Sequence, residues 1–179
     1  VPGDYPTIQG AIAASANGDD ILVAPGTYTG AGFWVINPLG KAITIRATGS
    51  AQSTILDGEN VRNVLRCASG EGPDTIIKGF TITGGYTNSS VTGGGVLCNN
   101  SSPTITACII TGNSAENFGG GIYCYQNANP IITDCVIDSN TASIDGAGIA
   151  CYYSSHAQIT DCTIRNNTAT EDGGGIFCY

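Results

Sequence analysis

The chain has 179 residues, 41% hydrophobic and only 11% charged, a composition that suits one domain with a real core. Its net charge is −8 with six Lys and Arg, so the basic patches that nucleic acid or an anionic membrane surface requires are missing. No apolar run nears the roughly 20 residues of a membrane-spanning helix.

Val1 stands where an initiator Met would, which reads as a processed terminus or the start of a fragment. Pro6 to Ser15 predict a short amphipathic helix: Ile8, Ala11, Ile12 and Ser15 fall on one face, and Gly18 can end it. Asp20 to Ala24 follow as a strand and Pro25-Gly26 as a turn. Ala42 to Arg46 form a further strand, and Thr54 to Gly58 a strand and turn. Val64 to Cys67 and Thr75 to Ile82 then lead into a regular repeat.

The repeat decides the architecture. Gly93-Gly94-Gly95-Val96-Leu97-Cys98 recurs as Gly119-Gly120-Gly121-Ile122-Tyr123-Cys124, Gly146-Ala147-Gly148-Ile149-Ala150-Cys151 and Gly173-Gly174-Gly175-Ile176-Phe177-Cys178. The cysteines Cys98, Cys124, Cys151 and Cys178 step by 26, 27 and 27 residues. A second series, Cys108, Cys135 and Cys162, steps by 27 and 27, and Phe80 takes the slot one coil earlier. Within each coil apolar residues alternate with period two: Ile122 and Cys124 point one way, Tyr123 and Tyr125 the other. Three such strands per coil are each too short to stand alone, so each must pair with its counterpart in the next coil, about 4.8 Å away.

The expected fold is therefore all-β: a right-handed, single-stranded parallel β-helix with three strands in each coil of about 27 residues, and a short N-terminal capping helix. Residues 1–20 form the cap, 21–92 irregular coils and 93–179 regular repeats with an incomplete last coil, in one domain spanning 1–179. The helix covers one open end, where unpaired backbone invites aggregation. The other end, after Tyr179, either continues or meets another molecule.

Stacking gives repeated residues their roles. Ile105, Ile132 and Ile159 make one inward ladder, and Ile110, Ile137 and Ile164 another. Asn113, Asn140 and Asn167 make an amide ladder at a bend, where Asn tolerates left-handed backbone. Both cysteine series point inward. They either remain reduced as a stacked core or pair within coils, Cys98 with Cys108, Cys124 with Cys135 and Cys151 with Cys162. Tyr125, Tyr152 and Tyr179 form an exposed column beside Tyr123 and Phe177, a candidate ligand surface or simple cross-strand packing.

Asp134 with Asp161, and Asp145 with Asp172, stack in neighbouring coils. Such carboxylates either form Asx turns or repel until a cation bridges them, which makes Asp145 and Asp172 a candidate Ca²⁺ site; no other cofactor is expected. The bases are scattered, Arg165 stacks on Asp138 as a surface ion pair, and His156 lies in a turn without a nucleophile nearby. No catalytic residue is assigned.

Val1-Pro2-Gly3-Asp4-Tyr5-Pro6-Thr7-Ile8-Gln9 with Val23-Ala24-Pro25-Gly26-Thr27-Tyr28 resembles the opening of bacterial pectin-lyase-like β-helix proteins. Ser102 to Cys108, Gly112-Asn113-Ser114-Ala115 and the Gly-Gly-Gly-Ile-Tyr run are similar to repeats of secreted and surface proteins, including polymorphic outer-membrane proteins. The resemblance spans essentially the whole chain. It implies the fold and selects no function, because this fold carries lyases, hydrolases, adhesins and structural proteins. The expectation is a non-catalytic extracellular solenoid, secreted or at the cell surface, serving as a structural, adhesive or filament-forming module. Its partners are copies of itself stacked head to tail, the remainder of a longer chain, or polysaccharide. The rivals are a polysaccharide lyase or hydrolase and a glycan-binding module.

Overall fold

The computed structural model describes residues 1–88 and 93–179. The second segment expected from the sequence, 21–92, thus includes four residues, 89–92, that lie outside the described residues. The described residues form a parallel stack of about six turns of about 27 residues, with one helix near the N-terminus. One face is a six-stranded sheet: Asp20–Val23, Thr44–Ala47, Ile76–Lys78, Thr104–Thr106, Ile131–Thr133 and Gln158–Thr160. A second ladder runs from Thr54–Cys67 through Thr81–Thr87, Ile109–Thr111 and Val136–Asp138 to Thr163–Arg165. A third runs from Trp34–Ile36 through the far end of Thr54–Cys67 to Val96–Asn99, Ile122–Tyr125, Ile149–Tyr152 and Ile176–Cys178. A narrow fourth ladder joins Thr81–Thr87, Ser114–Ala115, Thr141–Ala142 and Thr168–Ala169.

The register is the one the repeat demands. Ile21, Ile45, Ile77, Ile105, Ile132 and Ile159 stack in one inward row. Leu56, Ile82, Ile110, Ile137 and Ile164 form the second, and Ile36, Leu65, Val96, Ile122, Ile149 and Ile176 the third. Full burial of one such side chain contributes about 1.5–3 kcal/mol; toward the C-terminus Ile159 and Ile164 are half-buried and Ile176 is 43% exposed. The Ile ladders expected for the regular coils thus extend back through the irregular ones.

Glycine is required at two kinds of position. Gly146 sits at φ +60° at the entry to its coil, in the left-handed region. A Cβ on Gly121 would lie 2.6 Å from the Gly148 carbonyl oxygen, so only Gly lets the coils close there.

The helix is Ile8–Ala14, shorter than expected at both ends. Thr7 is its N-cap, accepting from the Gly10 N–H at 3.0 Å. It ends at Ser15 in extended backbone, so Gly18 does not terminate it; Gly18 instead turns the chain at φ +89° and donates to Ala42 O. The helix's last carbonyls are met from outside: Lys41 Nζ donates to the carbonyls of Ile12, Ala13 and Ser15. The segment read as strand, turn and strand between Thr54 and Cys67 is one long strand with a kink, where Glu59 and Asn60 adopt positive φ and the register shifts.

Glu71 braces the first coils. Its buried carboxylate accepts from the N–H groups of Gly40 and Ser69, both at 2.8 Å, and from the Ser101 hydroxyl at 2.9 Å. Three donors on one carboxylate offset its removal from water.

Candidate functional site

The outer face of the third ladder carries the aromatic residues. Arg66, Leu97, Tyr123, Ala150 and Phe177 share one outward row in register. Asn99, Tyr125 and Tyr152 share the next, and Tyr179 follows by donating its N–H to Cys151 O. The strand geometry therefore places the expected tyrosines where the repeat put them.

Their exposure differs from the expectation. Tyr123 is 1% exposed and Tyr152 9%, whereas Tyr179 is 84% exposed and Tyr125 and Phe177 half-buried. The column is not an open stack. Phe118, in the loop before Gly119, packs against Tyr123 and Tyr152 at centroid distances of 5.9 and 4.6 Å. The Tyr152 ring is held by its hydroxyl, which donates to Asp145 Oδ2 at 2.7 Å. Tyr125 instead meets Tyr153 edge-on at 5.1 Å, and Tyr179 stacks on Tyr152 at 5.6 Å. The result is one connected patch with a buried layer, Tyr123 and Tyr152, under an exposed one. Sequence reasoning missed Tyr153, which stands at φ +53° outside the strand pattern, and gave Phe118 no aromatic role.

Burial is the main cause that pushes the Tyr152 phenol above its ordinary value, and the Asp145 hydrogen bond adds to it. Burial likewise raises Tyr123.

Asp145 and Asp172 are adjacent, as expected, but their carboxylates do not face each other as a free pair. Asp145 is buried and both its oxygens are used: Oδ2 accepts from Tyr152, and Oδ1 from the Asp172 N–H at 2.9 Å. Among the described residues no group of three or more His, Cys, Asp or Glu side chains could hold a metal ion. Asp134 and Asp161 stand at φ +54° and +52° with exposed side chains, and neither carboxylate closes an Asx turn. The left-handed backbone itself makes the bend, and Ala107 does the same at φ +52°.

The Asn ladder is present and internal. Asn113 Nδ2 donates to Asn140 Oδ1 and Asn140 Nδ2 to Asn167 Oδ1, both at 2.9 Å, with Asn113 and Asn140 buried. These residues are not the left-handed ones. That conformation falls one position earlier, on Gly112, Ser139 and Asn166. The Asn side chains turn inward and meet main-chain groups of the neighbouring coils.

All eight cysteines are free. Cys67, Cys98, Cys124, Cys151 and Cys178 stack in register, one per coil. Cys108, Cys135 and Cys162 donate to the Thr106, Thr133 and Thr160 carbonyls at 3.2 to 3.3 Å. Cys124 stands in register between Cys98 and Cys151 of the coils on either side. Arg165 pairs with Asp138 at 3.1 Å on the surface, and His156 is exposed with its Nδ1 beside Ser154 O.

A groove of about 330 Å³ lies at the other end of the same outer face, lined by Phe33, Trp34, Arg62, Asn63, Arg66 and Tyr86 among others. The sequence reading treated Arg66 as scattered and assigned no role to Trp34. The one signal available was that Trp34 is the only Trp in the chain.

Among known proteins, a family model described as "Right handed beta helix region" matches residues 42–179. No curated protein and no solved structure matches the chain.

Proposed function

The chain belongs to the right-handed β-helix family, and from that premise we propose that it serves as a non-catalytic extracellular solenoid, an adhesive module that meets saccharide through the aromatic face of its third ladder. The observation that carries this is the connected patch of Phe118, Tyr123, Tyr125, Tyr152, Tyr153, Phe177 and Tyr179, with Tyr153 60% and Tyr179 84% exposed. Flat rings with polar edges suit sugar faces. The buried layer locks the exposed rings, so little side-chain entropy is lost on contact. The acidic composition with six Lys and Arg supports an extracellular setting. The parallel ladder supports a structural role too, because a further coil, of this chain or of another copy, would continue it in register.

Retention on a panel of insoluble polysaccharides tests the reading. The wild type should bind at least one, and the Tyr125→Ala/Tyr153→Ala double variant should lose at least tenfold in affinity with its melting temperature little changed. Equal retention by both proteins, retention by no polysaccharide, or release of soluble oligosaccharide would overturn it.

A further inference from the structure

The charge inventory singles out one guanidinium. Of the six basic residues, Arg46, Arg62 and Arg165 sit in ion pairs with Asp20, Glu59 and Asp138. Lys41 is spent on the helix carbonyls. Lys78 and Arg66 have no carboxylate partner among the described residues, and Arg66 lies in the groove, its Cζ 5.0 Å from the Trp34 ring centroid. A cation already stacked on indole keeps its hydrogen-bonding edge free. In a chain of net charge −8, this corner concentrates two arginines, Arg62 and Arg66.

The groove wall also holds unspent polar capacity. Asn63 is 7% exposed, and its amide donates to the Gly93 and Gly94 carbonyls. That fixes the amide's orientation and leaves Asn63 Oδ1 without a donor. Arg62 Nε is likewise buried and without a partner. Buried polar atoms of this kind are uncommon. The mouth of the groove is apolar: Phe33 is 85% and Val61 65% exposed.

We propose that this groove binds a carboxylate carried on a hydroxylated ring. The carboxylate pairs with Arg66, the ring packs on Trp34 and Phe33, and a ring hydroxyl lies against the wall at Asn63. Two sources share this chemistry, a sugar acid and an aromatic hydroxy acid. The site is separate from the aromatic patch, so either can fail alone.

Trp34, as the single Trp, gives one indole N–H signal in a ¹⁵N-labelled sample. Titration should use glucuronate and 4-hydroxybenzoate, with glucose and phenol as uncharged counterparts. At least one acid should shift that signal saturably and its counterpart should not; which acid does so identifies the source. Arg66→Gln should weaken binding at least tenfold, and Arg66→Lys should restore part of it. Should Arg66→Gln fail to fold, raising NaCl from 50 to 500 mM decides on the wild type: binding must weaken several-fold. A signal unmoved by both acids, equal response to the neutral compounds, or affinity indifferent to Arg66 and to salt would overturn the proposal.

Discussion

Tyr152 donates its hydroxyl to Asp145 across 2.7 Å, and this bond joins the aromatic patch to the loop that opens its coil. Tyr152→Phe should leave a buried carboxylate oxygen without its donor and cost about 1–3 kcal/mol in urea unfolding while keeping the ring in place. Because the Asp145 oxygens are both engaged, millimolar CaCl₂ should not move the melting temperature. A rise of several degrees would put a cation between Asp145 and Asp172 after all.

Asn140 stands in the middle of the amide ladder, accepting from Asn113 and donating to Asn167 and to Ile110 O. Asn140→Ala should orphan groups in both neighbouring coils, so its cost should exceed the ~1 kcal/mol of a single hydrogen bond and reach about 3 kcal/mol. Asn167→Ala, in the half-buried coil beyond, should cost less. Denaturant midpoints of the two variants give the comparison; equal costs would mean the ladder does not act as a unit.

Thiol labelling reads the two cysteine columns directly. Cys178 is exposed and Cys162 half-buried, while the other six are buried. In the native protein a soluble aromatic disulfide reagent should label Cys178 first and Cys162 slowly, and all eight only after denaturation. Rapid labelling of Cys124, or a mass change on reduction alone, would contradict the stacked free thiols.

Alkaline pH should weaken the fold. Burial raises Cys67 well above its ordinary value and also raises Tyr123 and Tyr152. In the unfolded chain thiols ionise near about 8.5 and phenols near about 10. The folded values are raised, so the stabilisation is complete below the unfolded values and is lost as pH climbs through them toward the folded ones. In that window each such group lowers stability by about 1.4 kcal/mol per pH unit. Melting temperatures from pH 7 to 11 should fall from about pH 9, and Tyr123→Phe should flatten the decline above about pH 10. Superimposable curves for wild type and variant would remove Tyr123 from the account.

The repeat period was enough to place Ile132 over Ile105, Cys151 over Cys124 and Asn140 over Asn113, because a strand too short to stand alone has only its counterpart in the next coil to pair with. Side-chain direction followed wherever the strict alternation of period two held. Exposure did not follow, because loop residues outside the strands decided it: Phe118 packs on Tyr123 and Tyr152, and Asp145 holds the Tyr152 hydroxyl. The groove was equally illegible, since Trp34, Arg62 and Arg66 lie outside the regular repeat, and the pairing of Trp34–Ile36 with the far end of Thr54–Cys67 brings them to one wall. Periodic sequence determines which residues stack; where the period lapses, the path of the backbone in space decides which of them meet.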